Sequence, residues 1–246
     1  KKGTLDELCC NHLAAGSGSR MDSDIPKQFI NVYDKPILMY TLDAFEKHPQ
    51  VDAIEVVSLS GWSDVVKAYA KQHNITKLKW IVDGGKTVQE SIKNGLLNLK
   101  PELNASDIVV IHDGIRPLVD QFVLTDVIKV ASEKGNAITS LPYNEQIFII
   151  DKNNESTTKQ YIPRETIRRV STPQAYRADM ITKAYEKAFR ENRGIGGTSY
   201  ADTLMVDMGE KLFFSAGSDR NIKIVTKDDL SLFKAYLKKE NSHWLK

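Results

Sequence analysis

Cysteine is almost absent from this 246-residue sequence, which has only the adjacent pair Cys9 and Cys10. Neighbouring cysteines rarely bridge to each other and lack the spacing of a metal site, so we expect a reducing compartment. No apolar run reaches the roughly 18 residues that predict a membrane span, and no segment resembles a secretion signal. We therefore expect a cytoplasmic protein that has no membrane partner.

A large excess of one charge is also missing, because 34 basic residues stand against 32 acidic ones and the net charge is +2. We therefore expect no nucleic-acid partner, and any cationic site must be local. The hydrophobic content of 41% is that of an ordinary globular protein. At this length we expect one α/β domain over residues 1–246 that carries a smaller arm.

The order of elements along the chain predicts an α/β fold. Segments 53–59, 78–82 and 107–111 are apolar and rich in β-branched residues, which is typical of buried strands, and segments with helical spacing separate them. This alternation continues to about residue 135. It predicts a Rossmann-like, mostly parallel sheet flanked by helices, with ligands at the carboxyl ends of the strands.

A projecting β-arm is predicted at about 142–170. Apolar residues at 147–150 and a second extended segment at 157–162 flank the polar turn 151–155, which is a hairpin pattern. An arm of this kind exposes a strand edge, and exchange between two subunits would cover it. We therefore expect a homodimer formed through the β-arm.

The remaining segments give weaker signals. We expect helices over 180–190 and 199–207, a mobile glycine-rich connector at 194–198, strands at 211–215 and 222–225, and a closing helix from Lys227. Segment 8–12 is too polar for a central buried strand. There we expect an edge-exposed or distorted strand, or an N-terminal segment altered from its natural sequence.

The loop that follows this first strand has the composition of a phosphate site. Gly16 and Gly18 let backbone N–H groups approach phosphate oxygens, and Arg20 and Lys27 can neutralise their charge. The P-loop pattern Gly-x-x-x-x-Gly-Lys-Ser/Thr is missing, and Met21 occupies the third glycine position of a dinucleotide fingerprint. The loop therefore predicts a nucleotide site of another kind.

Asp113 follows the apolar run 107–111, so it should emerge at the carboxyl edge of the sheet near the glycine loop. A carboxylate at that point can hold Mg²⁺ or a ribose hydroxyl, since Mg²⁺ needs only one or two carboxylates besides phosphates and water. The alternative is a helix or turn cap. We favour the binding role for Asp113 and a structural role for its neighbour His112.

Two further segments have a binding and a structural interpretation. The first segment follows a strand and opens a helix, and it contains Gly84, Gly85 and Ser91. Its N–H groups and the serine hydroxyl can bind the edge of a base, or the segment is an ordinary strand-to-helix turn. Lys223 lies in an apolar segment, where its ammonium needs a counter-charge. A bound phosphate would supply that charge, unless the lysine extends from an edge strand to solvent.

The sequence shows no Ser-His-Asp arrangement, no catalytic Cys-His pair and no metal-ligand cluster, which disfavours acyl transfer and zinc chemistry. A phosphate oxyanion, however, is a nucleophile that needs no general base. Catalysis can then depend on positioning and on cations that stabilise a pentavalent phosphoryl transition state. Arg20, Lys27 and Lys223 suit that task.

Six motifs, taken together and in order, resemble a known family. They are Leu13-Ala14-Ala15-Gly16-x-Gly18-x-Arg20-Met21, Pro26-Lys27-Gln28-Phe29, Gly84-Gly85, His112-Asp113-x-x-Arg116-Pro117, Thr172-Pro173-Gln174 and Asn221-Ile222-Lys223. The family is that of the cytidylyltransferases acting on 2-C-methyl-D-erythritol 4-phosphate or ribitol 5-phosphate. The resemblance covers residues 13 to about 240. It implies a single nucleotidyltransferase domain in which CTP and a polyol phosphate react, with Mg²⁺ or another divalent cation, to give a CDP-alcohol and pyrophosphate.

The resemblance also implies roles for individual residues. Arg20 and Lys27 match cations that bind the triphosphate, and Lys223 matches the lysine of the α-phosphate. The residues that would enclose CTP are Ala14, Ala15, Gly16, Gly18, Gly85 and Ser91, and Asp113 matches the aspartate for ribose and metal. Contacts to the second substrate would come from Arg116, Arg164 and Thr172, with Arg164 acting across a homodimer whose arm completes the partner's site.

Three residues depart from the family pattern. Gln146 stands where a threonine is usual in the arm, Val88 where an arginine is usual, and Tyr200 near an expected aspartate. The acceptor therefore stays open between 2-C-methyl-D-erythritol 4-phosphate, used for isoprenoid precursors, and ribitol 5-phosphate, used for teichoic acid or capsule. From the sequence we favour the first. A module that binds CTP without turnover is a further alternative.

Overall fold

The computed structural model describes residues 8–14, 25–196 and 200–241, with the backbone alone at 8–14 and 240–241. The strands in these ranges are β1 (Leu8–Ala14), β2 (Asn31–Val32), β3 (Lys35–Pro36), β4 (Ala53–Ser58), β5 (Leu78–Asp83), β6 (Ile108–Asp113), β7 (Asn136–Pro142), β8 (Ile147–Asp151), β9 (Asn154–Ile162), β10 (Arg168–Arg177) and β11 (Phe214–Ala216). The helices are α1 (Ile37–Glu46), α2 (Ser63–Gln72), α3 (Val88–Leu99), α4 (Gln121–Lys134), α5 (Ala178–Glu191), α6 (Ala201–Asp207) and α7 (Lys227–Asn241). Within this part of the chain no helix is both long and apolar enough to cross a membrane.

Seven strands form one sheet in the order β11-β7-β10-β6-β1-β4-β5. Its neighbouring strands run parallel, except that β10 is antiparallel to both β6 and β7. Helices lie on both faces of this sheet. The predicted α/β fold with a mostly parallel sheet flanked by helices is confirmed.

The core has two halves, and β6 contributes to both. Val110 packs in a cluster that contains side chains of α1, α2 and α4, whereas Val109 packs in a second cluster with side chains of α3, α5 and α6. Every residue of β6 is buried. Because successive side chains of a strand point to opposite faces, a strand covered on both sides has a continuous apolar sequence. The two cores hold β6 rigidly, and with it the site at its carboxyl end.

The first strand is central in the sheet. β1 pairs in parallel with β4 on one side and with β6 on the other. The prediction of an edge-exposed strand at 8–12 is therefore wrong. Backbone hydrogen bonds to two neighbours satisfy a strand's N–H and C=O groups whatever its side chains are, so polarity alone did not exclude this place.

The predicted hairpin is present as β8 and β9, which pair antiparallel in a separate two-stranded sheet. Much of its apolar surface faces solvent, because Phe148, Ile149, Ile150 and Tyr161 are all exposed. The chain then returns through a short 3₁₀ turn at Arg164–Thr166 into β10. An arm with this exposed surface is suited to packing against another protein surface.

The C-terminal helices α5, α6 and α7 lie near their predicted positions, and the strand expected at 211–215 is β11. The strand expected at 222–225 is absent from the described structure. That segment is irregular and makes a single backbone hydrogen bond across to the chain after β6, from Ile224 N to Ile115 O at 2.9 Å. Its apolar side chains fill a small cluster with Phe233 of α7 and Val32, so burial rather than sheet pairing explains the pattern. Of the predicted connector 194–198, residues 197 and 198 lie outside the described residues.

Candidate active site

The carboxyl ends of three parallel strands meet at one edge of the sheet. Asp113, the last residue of β6, is in register with Leu13 of β1, and Ala14 is in register with Ser58, the last residue of β4. The backbone N–H of Gly84 donates to Ser58 O at 2.7 Å, which brings the loop after β5 to the same edge. The end of β1 at Ala14 therefore lies between the end of β6 and the end of β4, beside which the Gly84 loop lies.

Asp113 lies between two cations. Its Oδ2 accepts a hydrogen bond from Arg116 Nε at 2.9 Å and lies 3.2 Å from Lys223 Nζ. Burial by itself would raise the pKa of this carboxyl, but the charges of Lys223 and Arg116 and the hydrogen bond from Arg116 outweigh burial and lower the pKa to about 2. The carboxylate is therefore ionised at neutral pH, and the three side chains carry a net charge of one positive unit.

Lys223 reaches this carboxylate from an irregular segment, where the sequence predicted a strand. The structure thus supplies a protein counter-charge for its ammonium, besides the phosphate that the sequence suggested. On another side the ammonium lies 5.3 Å from the centre of the Tyr200 ring, within the range of a cation–π contact. Asp113 and Tyr200 together fix where Lys223 presents its charge.

Arg116 is oriented by two further contacts. Its Nη1 donates to the carbonyl of Asn221 at 2.8 Å, and its own carbonyl lies 3.0 Å from Nε2 of His112. Burial lowers the pKa of His112 to about 4, so the imidazole is neutral and donates from Nε2 to the carbonyl. The position of His112, buried beneath the Asp113–Arg116 turn, fits the structural role expected for it.

Thr172 and Asn221 connect the neighbouring strand β10 to this turn. Thr172 Oγ1 accepts a hydrogen bond from the backbone N–H of Asp113 at 3.1 Å, and Asn221 Nδ2 donates to the carbonyl of Thr172 at 2.7 Å. Both side chains are buried. Asn221 therefore holds Thr172 through its amide and Arg116 through its carbonyl. Asn221 belongs to one of the six motifs but was not predicted as a site residue.

The loop after β5 is closed upon itself. Ser91 Oγ accepts from the backbone N–H of Gly85 at 3.0 Å and donates to the carbonyl of Thr87 at 2.9 Å, and the residue is buried. A Cβ at position 85 would lie 2.2 Å from Cβ of Glu90, so the loop needs glycine there. The structure thus places the Ser91 hydroxyl inside the loop, which it shapes, rather than exposed toward a base.

Four predicted residues of the nucleotide site lie outside the described residues, namely Ala15, Gly16, Gly18 and Arg20. Lys27 begins a 3₁₀ turn, Lys27–Phe29, which is anchored by the Phe29 ring stacked on Trp62 with 4.6 Å between centres. Lys27 is thus held on a fixed turn.

Arg164 lies apart from the site residues described above. It is exposed in the turn between β9 and β10, where Nη1 donates to the carbonyl of Asn144 in the same arm at 3.3 Å. Gln146 is exposed in the same arm. Within one chain the structure therefore brings together Asp113, Arg116, Thr172 and Lys223 but leaves Arg164 on the projecting arm.

Asp202 is a carboxylate at the edge of the site, and it was not predicted from the sequence. It is buried in the first turn of α6, and its Oδ2 accepts from Gln174 Nε2 at 3.0 Å. Burial raises the pKa of Asp202, and the charge of Asp113 raises it further. The sequence offered a signal, because an aspartate was expected near Tyr200 and Gln174 belongs to a motif.

The carboxylate of Asp113 has a second oxygen, Oδ1, that is suited to a divalent cation. The two cationic partners contact Oδ2, and no hydrogen bond to Oδ1 is observed from the described residues. An ionised carboxylate with one oxygen available suits Mg²⁺, which takes its other ligands from phosphates and water. In the described part of the chain no three His, Cys, Asp or Glu side chains are grouped as a metal cluster.

The sequence matches a protein family along most of its length. The family is described as IspD, 2-C-methyl-D-erythritol 4-phosphate cytidylyltransferase, and the match covers residues 11–239. The chain belongs to the IspD family of cytidylyltransferases. The resemblance found from the six motifs is confirmed, and so is the expectation of a CTP-dependent nucleotidyltransferase.

Relatives of this IspD-family enzyme have two different names. A ribitol-5-phosphate cytidylyltransferase of Lacticaseibacillus paracasei is 53% identical over 228 residues, covering 93% of this chain and 97% of the relative. A 2-C-methyl-D-erythritol 4-phosphate cytidylyltransferase of Clostridium tetani is 35% identical over 238 residues, covering 97% and 93%. The IspD-family enzyme is therefore similar to proteins of both acceptor classes.

A solved structure has the same fold as this IspD-family enzyme. The 4-diphosphocytidyl-2C-methyl-D-erythritol synthase of Anaerococcus prevotii superposes with a TM-score of 0.80 at 26% identity. The superposition covers 97% of this chain and all of that one. The central sheet and its helices are thus those of an IspD-type cytidylyltransferase.

Proposed function

We propose that this cytidylyltransferase transfers CMP from CTP to ribitol 5-phosphate, giving CDP-ribitol and pyrophosphate. One observation carries the choice of acceptor. The ribitol-5-phosphate cytidylyltransferase of L. paracasei is 53% identical, whereas the C. tetani relative named for 2-C-methyl-D-erythritol 4-phosphate is 35% identical over a similar length. The departure at Gln146, on the arm that also carries Arg164, points the same way, because it suggests an acceptor contact that differs from the usual pattern.

The second candidate is 2-C-methyl-D-erythritol 4-phosphate, which the sequence analysis favoured. The family description names this acceptor, and several relatives at about the same distance as the C. tetani protein share that name. Both candidates are polyol phosphates with a terminal phosphate, so the same chemistry serves either. They differ in chain length, branching and hydroxyl positions, which only the acceptor side of the site can read.

In the proposed reaction an oxygen of the acceptor phosphate attacks the α-phosphorus of CTP. A new P–O bond forms, the bond between the α-phosphorus and the bridging oxygen breaks, and pyrophosphate leaves with the electron pair. The nucleophile is already anionic, so no side chain has to remove a proton. The protein's contribution is to align the two phosphates and to stabilise the negative charge of the transition state.

The cations of the site are suited to this task. Lys223 is held by Asp113 and Tyr200 at the carboxyl edge of the sheet, and we assign it to the α-phosphate. Lys27 and Arg20, on the loop after β1, are assigned to the triphosphate. We assign Arg116, which is bonded to Asp113 and to the Asn221 carbonyl, to the acceptor phosphate. Thr172, beside it, has a hydroxyl hydrogen to donate to that phosphate.

CTP is assigned to two loops at the carboxyl edge of the sheet, the glycine loop after β1 and the Gly84–Gly85 loop after β5. The glycine loop after Ala14, with Ala15, Gly16 and Gly18, would offer backbone N–H groups to the phosphates. The Gly84–Gly85 loop, closed by Ser91, would face the base and ribose. Asp113 is assigned to the ribose and, through Oδ1, to Mg²⁺ or another divalent cation bound with the triphosphate. Such a cation, when bound, supplies positive charge to the phosphate oxygens.

We also propose that the chain forms one nucleotidyltransferase domain that works as a homodimer. The arm's exposed apolar residues Phe148, Ile149, Ile150 and Tyr161 support this assembly, since a second subunit would bury them. Arg164, on the same arm, would then contact the partner's acceptor phosphate. A cytoplasmic location is proposed because the reaction consumes CTP, which is present there.

Pyrophosphate release tests this proposal. The enzyme is supplied with CTP and Mg²⁺ and with each polyol phosphate in turn, and kcat/KM is measured for both acceptors. Ribitol 5-phosphate is expected to react with the higher kcat/KM. A higher value for 2-C-methyl-D-erythritol 4-phosphate would move the assignment to the second candidate. Release from neither acceptor, together with tight CTP binding, would instead favour a CTP-binding module.

A further inference from the structure

Tyr200 occupies a particular place in the site. Its ring centre lies 5.3 Å from Nζ of Lys223, whose ammonium also contacts the Asp113 carboxylate at 3.2 Å. The ring is partly exposed, whereas Lys223 and Asp113 are largely covered. The ammonium is therefore held between an anion on one side and an aromatic ring on the other.

The backbone of Tyr200 is fixed by a first pair of buried side chains. The hydroxyl of Tyr185 on α5 donates to Gln89 Oε1 at 2.6 Å, and Gln89 Nε2 on α3 donates to the carbonyl of Tyr200 at 2.9 Å. Burial raises the pKa of Tyr185 well above its ordinary value, so it stays a hydroxyl donor. Two helices thus determine where residue 200 begins the turn into α6.

A second pair of the same kind fixes the other side of that turn. The hydroxyl of Tyr176 donates to Gln174 Oε1 at 2.8 Å, and Gln174 Nε2 donates to Asp202 Oδ2 at 3.0 Å. The N–H of Tyr200 donates to Thr203 Oγ1 at 2.8 Å. Two buried tyrosine–glutamine pairs and a local hydrogen bond therefore converge on one turn of helix. Because buried polar groups are costly unless satisfied, such a network indicates a position that has to be accurate.

We propose that Tyr200 is a positioning residue for Lys223, and that its ring face holds the ammonium at the nucleotide site without neutralising it. A third carboxylate here would add to the negative charge of Asp113 and Asp202 beside a site that receives a triphosphate. An aromatic ring attracts a cation through its quadrupole and brings no net charge. The positive charge of Lys223 then stays available to the phosphates. The inference rests on the proposed role of Lys223 at the α-phosphate.

Two variants of Tyr200 separate the ring from the hydroxyl. Tyr200→Leu removes the ring face and keeps an apolar side chain, and its kcat/KM for CTP is expected to fall about fivefold, the size of a partly exposed cation–π contact. Tyr200→Phe keeps the ring and is expected to recover most of that loss. Equal losses in Tyr200→Phe and Tyr200→Leu, or no loss in Tyr200→Leu, would overturn the proposal.

A double-mutant cycle tests whether Tyr200 acts through Lys223. Calorimetry gives the Kd for CTP in the parent, Tyr200→Leu, Lys223→Ala and the double variant. Tyr200→Leu is expected to weaken CTP binding in the parent and to have no further effect once Lys223 is replaced. The same weakening in both backgrounds would overturn the proposal.

A matched control is available at a second cation–π contact, away from the site. Lys211 Nζ lies 5.7 Å from the ring centre of Phe213, just before β11. Phe213→Leu should leave kcat/KM and CTP binding unchanged, and a loss there equal to that of Tyr200→Leu would contradict a specific role for Tyr200. Absence of turnover in the parent would refute the proposed function alone, because the calorimetric cycle tests Tyr200 without turnover.

Discussion

The carboxylate of Asp113, at the end of β6, lies 3.2 Å from the ammonium of Lys223, which reaches it from the irregular segment before α7. This pair joins two parts of the chain that are distant in sequence and brings a lysine to the carboxyl edge of the sheet. With Arg116 on the same oxygen, the carboxylate is outnumbered by cations. The arrangement leaves positive charge for anionic substrates, which is what a reaction between two phosphates needs.

Replacing Asp113 should change how stability depends on pH. Its pKa is about 2 in the folded protein, below the ordinary 3.8, so its contribution to the free energy of unfolding is present above pH 3.8 and is lost as the pH falls through 2. Asp113→Asn should lower the free energy of unfolding by about 2 kcal/mol at pH 7, a difference that shrinks between pH 4 and pH 2. Urea unfolding of both proteins across this range measures it. A difference that stays constant with pH would contradict the coupling.

Lys27→Ala should reduce turnover much more than stability. A phosphate-binding cation on a surface turn contributes mainly in the transition state, so kcat/KM is expected to fall by about 10² or more. The free energy of unfolding should change by no more than about 0.5 kcal/mol. Pyrophosphate release and thermal unfolding check the two halves of this expectation. Equal rates in variant and parent would remove Lys27 from the mechanism.

Asn221→Ala should affect both stability and turnover. The buried amide of Asn221 donates to Thr172 O at 2.7 Å, and its loss leaves an unsatisfied carbonyl, at a cost of about 1–3 kcal/mol. It should also lower kcat, because Thr172 and Arg116 would no longer be held together.

Asn136 offers a matched control for that experiment. It is also buried, and its Nδ2 donates to a backbone carbonyl, that of Lys211, at 2.9 Å. Asn136→Ala should destabilise the protein by a similar amount without a specific loss of kcat. If the two variants lost kcat equally, the effect of Asn221 would be one of stability alone.

Glu55 should give the free energy of unfolding a second dependence on pH, opposite in sign to that of Asp113. The Glu55 side chain is buried in β4, where its Oε2 accepts from Asn98 Nδ2 at 2.6 Å and its Oε1 has no hydrogen-bond partner among the side chains that the structure describes. Burial raises its pKa to about 8, although the Asn98 hydrogen bond lowers it. A group with a raised folded pKa supports the fold fully below its unfolded pKa of about 4.5, and this support is lost as the pH rises to 8.

Glu55→Gln removes this titration. The free energy of unfolding of Glu55→Gln relative to the parent should therefore increase from pH 5 to pH 8, with a slope of at most about 1.4 kcal/mol per pH unit. Denaturant unfolding at several pH values gives that slope. A difference independent of pH would show that Glu55 does not titrate in this range.

The exposed apolar residues of the arm lead to a prediction about dimer formation. Phe148, Ile149 and Ile150 are exposed in β8, and we expect a second copy to cover them. Ile150→Glu should shift the protein from dimer toward monomer in light scattering after size-exclusion chromatography, since a charge would be buried in the interface. Leu97→Glu, at an exposed position of α3, is the control and should leave the dimer intact. A dimer in both variants would contradict the arm interface.

The local sequence pattern was sufficient to predict many of the strands and helices of this fold. The apolar run at 107–111 predicted β6 because a strand covered on both faces is continuously apolar, and the hairpin of β8 and β9 followed from its polar turn. It was insufficient where pairing is non-local. The central place of β1 depends on hydrogen bonds to β4 and β6, which the polar segment 8–12 gives no sign of. Segment 222–225 is apolar because it packs beside α7, yet it joins no strand.

In the candidate site, too, some features could be predicted from the local sequence and others could not. The position of Asp113 follows from the end of a strand, and Gly85 from a tight turn, so both were predictable. The partner of Lys223 was not, because contact between residues 113 and 223 depends on the whole fold. Asp202 was missed because its hydrogen-bond partner Gln174 lies on β10, 28 residues away in the sequence. The positions of single residues at a strand end or a turn could be predicted from the sequence, whereas contacts between residues far apart in the chain could not.

The most direct test of the account is a competition between the two acceptors in one reaction. CTP, Mg²⁺ and equal concentrations of ribitol 5-phosphate and 2-C-methyl-D-erythritol 4-phosphate are incubated with the enzyme, and the CDP-alcohols are identified by mass spectrometry. We predict CDP-ribitol as the main product, formed together with an equal amount of pyrophosphate. A product that is mainly the CDP derivative of methylerythritol would contradict the proposed acceptor, and no CDP-alcohol at all would contradict the transfer itself.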